Sequence, residues 1–297
     1  MSLTRLHTAT DILKTHTRAH EARVCQTHQR GVGFGDAGGS QPLSLGAAAV
    51  DRHLEGGLVC GGLHEVRCAL ARDIGVGAGF ACGLARRAAD ARQDGRRRIV
   101  WVNDPAARSD GGELFPVGLA QYGVDPSWLT LVEPRDLQGA MWAADEAAGC
   151  ADLAAMVFHI RGNPARFDIT ATRRLMLRAR ASGVLALTLR QSGEEEAGAA
   201  VTRWQVQPHP SGADDNYQRG VGAMRLSLTL ERNRAGRTGQ WLLAWNAKTR
   251  AFEHAASSPA APAAHSLHRL HPSANRRDPS DDMGQVLDHR QDFGHAS

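Results

Sequence analysis

Large apolar side chains concentrate in residues 41–254, where short apolar runs alternate with segments of helical spacing. That alternation predicts an α/β fold with a mostly parallel central sheet flanked by helices. Leu63–Cys68 is the first strand, and residues 78–92 form a helix with Phe80, Leu84 and Ala88 on one face. Residues 98–102 (RIVWV) are a buried strand ending at Asn103 and Asp104, where the chain turns at Pro105. A helix around 114–122 ends at Gly123, and Leu129–Val132 is the next strand. Asp136 caps a helix over 137–149, which leads into an apolar strand at 153–158. Asp168 or Thr170 caps a helix that runs to Ser182 and stops at Gly183, before a strand at 184–189.

Beyond Arg190 the period changes. Residues 201–207, 224–232 and 240–245 alternate apolar and polar, with a turn-rich stretch at 234–239. This predicts antiparallel strands appended to the sheet on its C-terminal side. Trp204, Trp241 and Trp245 fall in these strands and are read as packing one face rather than as platforms for bases.

The ends are polar. Residues 1–40 read as a histidine-containing segment, with a short polar helix at 9–22 and a glycine-rich linker at 31–40. Residues 255–297, rich in Ala, Pro, Ser, His and Asp, read as a disordered tail. The organisation expected is therefore a core domain at 41–254 between two polar ends.

Composition narrows the function classes. Five cysteines (Cys25, Cys60, Cys68, Cys82, Cys150) contain no CxxC pair, which suits neither a disulfide framework nor a zinc cluster and predicts inert thiols in a reducing compartment. The N-terminus lacks a secretory apolar region, and no stretch has the roughly 18 apolar residues of a membrane span, so a cytoplasmic location is expected. Net charge is +4, carried by 33 Arg and two Lys against 31 acidic residues. Arginines cluster at 86–98 and at 161–180. In the second cluster Arg174 and Arg178 share one helix face, as do Arg173 and Arg180, which makes them candidates for DNA or partner binding against the commoner reading of a solvated face.

Residues 45–58, with Asp51, Leu54, Gly56 and Gly57 in place, resemble the lead-in to RecA-like folds, where a similar stretch precedes the first core strand and its P-loop. A working P-loop needs a lysine on the phosphates and a Ser or Thr on magnesium. Here no lysine lies between Lys14 and Lys248, and the segment 69–83 (ALARDIGVGAGFACG) has no Lys, Ser or Thr. Gly75, Gly77 and Gly79 are what remains of a degenerate loop, with Arg72 as the only cation. Asp104 is the sole acidic candidate at the end of the second strand, and His159 stands where a magnesium-linked aspartate would be. His159 is read as a structural replacement rather than a metal ligand or acid-base group. The histidines of the ends (His16, His20, His28, His265, His268, His271) receive no function. No catalytic residue, metal site or cofactor is expected. A competing reading takes Gly77, Gly79 and Gly83 with Asp104 as a weak dinucleotide-binding pattern.

Several further stretches, taken in order, resemble the ImuA family: GGLHEV (61–66), GAGFACGLARRAA (77–89), VWVND (100–104), GLAQYGVDPSWLTLVEPRD (118–136), MWAADEA (141–147), FDITATRRLMLRARASGV (167–184), TRWQV (202–206) and GQWLLAW (239–245). The resemblance implies a RecA-like, P-loop-degenerate protein of the SOS mutagenesis cassette. Its implied role is a non-catalytic accessory to error-prone translesion DNA synthesis, alongside an ImuB-like polymerase homologue and an error-prone DnaE-type polymerase, with RecA as a further contact. A SulA-type cell-division inhibitor on a similar core is the alternative, and a nucleotide-cofactor-binding enzyme the second.

Overall fold

In a computed structural model, the described residues are 42–255 apart from 212, 215 and 216. The polar N-terminal segment, its linker, Cys25, the terminal histidines and the tail from 256 lie outside them.

The chain first makes a short helix α1 (Ala48–His53) and then the strand β1 (Leu63–Cys68). A 3-10 turn at Ala71–Asp73 leads into the long helix α2 (Ile74–Ala91). Next come β2 (Arg98–Asn103), α3 (Pro105–Gly111), α4 (Pro116–Gln121), β3 (Leu129–Val132), α5 (Leu137–Ala148), β4 (Leu153–Arg161), α6 (Ile169–Ser182) and β5 (Leu185–Gln191). The C-terminal part is all strand: β6 (Thr202–His209), β7 (Ala213–Asp214), β8 (Tyr217–Val221), β9 (Arg225–Asn233), β10 (Gly239–Asn246) and β11 (Ala251–His254).

Nine strands form one sheet in the order β11-β10-β9-β6-β1-β5-β4-β2-β3. From β3 to β6 every pairing is parallel, while β6–β9, β9–β10 and β10–β11 are antiparallel. The mostly parallel sheet with an antiparallel C-terminal side is thus as expected. Some details differ, among them these. The strand read at 201–207 with the antiparallel set runs parallel to β1 and closes the parallel part, His64 lying opposite Thr202. Pro105 opens helix α3 rather than a plain turn, its missing N–H falling where a helix leaves donors unpaired. And β11 was not read from its four residues.

The sheet separates two cores. On one face Phe80, Leu84 and Ala88 of α2 are at most 4% exposed and pack with Trp204, Trp245 and Phe252. Burying Phe80 or Leu84 contributes about 1.5–3 kcal/mol each. Edge-on contacts link Phe80 to Trp204 and Trp245 to Phe252, and Trp204 meets Trp241, so the three tryptophans pack into the core on one face, as expected. On the other face α5 and α6 cover Val102, Met156, Phe158 and Ile160.

Local signals explain the element ends. Asp136 Oδ1 accepts from Gly139 N–H at 2.7 Å and Asp168 Oδ1 from Ala171 N–H at 2.9 Å, capping α5 and α6. Gly183 ends α6 in the left-handed region, φ +79°. In the lead-in, Asp51 accepts from Leu45 N–H and Ser44 Oγ–H, both at 2.7 Å, and Leu43 pairs with Leu58. Gly57 has φ +137°, and a Cβ there would lie 2.1 Å from the Leu43 carbonyl oxygen, so the Gly-Gly pair is a packing requirement of this turn.

One buried polar network crosses the α6 side of the sheet. Glu65 accepts a hydrogen bond from Arg203 Nε at 2.9 Å and forms an ion pair with Arg190 Nε at 3.4 Å, all three residues at most 1% exposed. Glu195 and Glu196 complete it from the loop before β6.

Candidate functional site

In a parallel α/β sheet ligands gather beyond the C-terminal ends of the strands, where the connections to the helices open. Here that region is built by the ends of β1, β2, β4 and β5. The connection from β1 to α2 spans only residues 69–73, because α2 begins at Ile74, four residues before the expected helix start. Gly75, Gly77 and Gly79 are therefore helical, not part of an open loop. Gly75 lies in the first turn, whose N–H groups have no partner within a helix, and the Gly77 N–H meets the Cys68 sulfur. Two of them are there for close packing: a Cβ on Gly77 would lie 2.3 Å from Cys68 Sγ and 3.1 Å from Leu189 Cδ1, and one on Gly79 would lie 2.1 Å from Tyr122 Oη. Gly75 meets nothing within 4 Å. Helical interior glycine costs about 1 kcal/mol against alanine, and here it is the close approach of helix to sheet that offsets the cost.

Asp73 sits at the N-cap of α2, 8% exposed, and accepts no capping hydrogen bond through its side chain. A carboxylate there takes the favourable end of the helix dipole that a phosphate would otherwise use. Arg72, beside it at 4.0 Å, has a side chain 82% exposed.

Gly75 and Gly79 line a cavity of about 230 Å³ with Trp101, Asn103, Glu113, Tyr122 and His159. The sequence pattern separates these residues by up to 84 positions; the fold brings Gly75, Gly79 and His159 together. His159 is 5% exposed, with Nδ1 3.3 Å from Asn103 Oδ1 and Nε2 3.1 Å from Gln191 Oε1. The Trp101 indole donates to the same Asn103 oxygen at 2.9 Å. Burial lowers the His159 pKa to about 4, so the ring is neutral at pH 7 and donates through only one nitrogen. Gln191 in turn donates to Asp110 Oδ2 at 3.3 Å, which also receives Arg161 Nε at 3.1 Å. Asn103, Asp110 and Gln191 were not singled out from sequence; Asp110 lies in the helix α3 that the pattern did not reveal.

Asp104 is not in the cavity. It is the N-cap residue of α3, 5% exposed, and its Oδ2 accepts from Arg161 N–H at 3.4 Å across to the end of β4. Among the described residues no group of three or more His, Cys, Asp or Glu could hold a metal ion. What the cavity offers chemically is a mostly apolar space whose polar lining includes the Asn103 amide, the neutral His159 imidazole and the Glu113 carboxylate.

The second candidate set lies on α6, away from this cavity. Arg174 Nε is 2.9 Å from Asp145 Oδ1 on α5, and Arg178 lies 3.6 Å from Asp145 Oδ2 and 3.1 Å from Glu146 Oε1. These two arginines tie α6 to α5. Arg173 and Arg180 make no ion pair among the described residues, and Arg173 is exposed. Ile169 and Leu177, four residues to either side of Arg173, are 53% and 51% exposed.

No protein-family profile matches the chain. Protein ImuA of Caulobacter vibrioides, from two strains, is 34% identical over 214 residues, an alignment covering 68% of this chain and 82% of each relative. With that identity over that share of both sequences, the chain belongs to the ImuA family.

Proposed function

We propose that this protein is a non-catalytic accessory of DNA-damage-induced, error-prone translesion synthesis: an adaptor on a RecA-like core that acts in the cytoplasm with an ImuB-like partner and a DnaE-type polymerase, and that contacts RecA. The observation that carries the reading is the β1–α2 connection of an ImuA-family chain. Where nucleotide chemistry would need an open, cationic loop, Gly77 and Gly79 are packed in a helix, and Asp73 places a carboxylate at its start. Losing one preorganised charge-stabilising group costs roughly 10²–10³ in rate, and lysine, hydroxyl and metal-linked carboxylate are all replaced here. The sheet order, with β1 flanked by β5 and β6 and antiparallel strands beyond, supports the RecA-like assignment. No helix among the described residues is long and apolar enough to cross a membrane.

The test pairs two measurements on the purified full chain. ATP turnover is expected at the level of a protein-free blank, and an ImuB-like protein is expected to be retained by the immobilised chain where FtsZ is not. Retention of FtsZ instead would replace this reading with the SulA-type one. The cavity beside Gly75 and Gly79 favours one further alternative, a nucleotide-cofactor site. Micromolar binding of NAD, NADP or ATP, lost on Gly79→Val in a variant that keeps the wild-type melting temperature, would establish it in place of the adaptor.

A further inference from the structure

At the opposite pole of the sheet, the N-terminal ends of β2, β3 and β4 frame a larger groove of about 740 Å³. Its floor is apolar, from Val100, Val132 and Leu153. Its rim carries Arg96, Arg97 and Arg98 against Asp94 and Asp152, together with Trp128 and the hydroxyls of Ser127 and Thr130. Arg96 is committed, since it binds Asp152 and lies 3.8 Å from Asp94 Oδ2. Arg97 and Arg98 are exposed and form no ion pair among the described residues.

Trp128 is contacted by two guanidinium groups, with Arg86 4.9 Å and Arg97 5.1 Å from the ring centroid. Arg86 is 2% exposed and is held by Asp90 at 2.7 Å and by the Gly123 carbonyl, so it is a fixed support for the indole. Arg97 is the exposed member. A planar cation resting on an aromatic ring offers a further planar partner a ready stacking surface. Beside it stand Arg98, without an ion pair among the described residues, and the exposed Thr130 hydroxyl, groups that meet a phosphate, while the Ser127 hydroxyl is given to Asp125.

We propose that this groove binds single-stranded nucleic acid, with a base stacked on the Arg97 guanidinium over Trp128 and an adjoining phosphate met by Arg98 and Thr130. The volume accommodates about one nucleotide, within the usual 300–1,000 Å³ of ligand sites. An acidic peptide is the less suitable occupant. β3 is an edge strand of four residues with Pro126 before it and Pro134 after it, so a peptide added as a strand would gain few ladder bonds. The proposal is independent of the adaptor reading, because it rests on groove chemistry and not on family membership.

The test uses the full chain and a fluorescein-labelled oligothymidylate of about 12 nucleotides, within the span of sequence-independent sites. Anisotropy titrations compare the wild type with Arg97→Glu/Arg98→Glu, Arg97→Lys and Arg173→Glu/Arg180→Glu. The first double variant should lose at least about tenfold in affinity and about 0.7 in the slope of log affinity against log salt, for the Arg98–phosphate contact. Arg97→Lys keeps the charge and loses the stacking plane, so it should weaken binding about fivefold with the slope unchanged. The control double variant should bind as the wild type does. The proposal is overturned by absence of binding in the wild type, by equal affinity of both double variants, by equal affinity for a duplex of the same length, or by displacement with polyglutamate as effective as with unlabelled oligonucleotide.

Discussion

The Glu65 carboxylate receives the Arg203 guanidinium at 2.9 Å, with both side chains 2% exposed. Arg190 lies 3.4 Å from the other carboxylate oxygen, so one buried anion serves two buried cations from β5 and β6. Removing one member of such a set strands the charges that remain. Glu65→Ala is expected to cost about 3–5 kcal/mol, read by urea unfolding. A loss under about 1 kcal/mol would mean that Glu195 and Glu196 suffice for the two arginines.

The glycines of α2 separate packing from ligand roles. Gly77→Ala should destabilise the fold by about 1–3 kcal/mol, since the new Cβ meets Cys68 Sγ and Leu189 against the sheet. Gly75→Ala, with open space around it, should instead stabilise by about 0.5 kcal/mol through helix propensity and a less flexible unfolded chain. Opposite signs in the same unfolding experiment are the prediction; a common sign would remove this account of the helix.

Two buried histidines set a pH dependence. Burial lowers His159 and His64 to about 4, against an ordinary value of 6.5. His64 sits between Thr202 Oγ1 at 2.8 Å and the Val59 carbonyl at 3.0 Å. Between those pH values the unfolded chain takes up protons that the folded chain refuses. Their contribution is therefore complete above about pH 6.5 and is lost as the pH falls toward 4, at up to about 1.4 kcal/mol per pH unit for each histidine. His159→Gln should flatten the stability profile in this window, measured by unfolding free energy at a series of pH values. A parallel, merely displaced profile would count against the neutral buried imidazole.

Arg174 and Arg178 hold α6 to α5 through Asp145, whose side chain is 11% exposed. Changing both to Ala should lower stability by about 1–2 kcal/mol, mostly because Asp145 loses its partners. Arg173→Ala/Arg180→Ala should stay within about 0.5 kcal/mol of the wild type. Thermal unfolding of the two double variants checks the contrast, and any loss of partner binding by the first must be read beside its melting temperature.

Much of the fold was legible locally. β1 and β3 have the bounds read from their apolar runs, and Asp136, Asp168 and Gly183 cap as their residue types demand. The start of α2 was misplaced because glycine is a poor helix former, and the contacts that favour it there come from Cys68, Leu189 and Tyr122. Of the candidate site, the absent lysine and the position of His159 at a strand end were visible in the chain, whereas Gln191 and Asp110 were not. Those two join His159 only through pairing of β4 with β5 and through a helix hidden behind Pro105.

By itself, the order of residues determined the alternation of strands and helices, the caps and the groups available for chemistry, because these depend on neighbours within a few positions. Tertiary structure alone decided that β6 runs parallel to β1, that Gly77 and Gly79 are packing residues, and that Arg174 and Arg178 are bound to α5. It also decided that Trp128 and Arg97 share a groove with Arg98. Each of these is set by contact between elements far apart in the chain, and no local propensity encodes which distant side chain will be within reach.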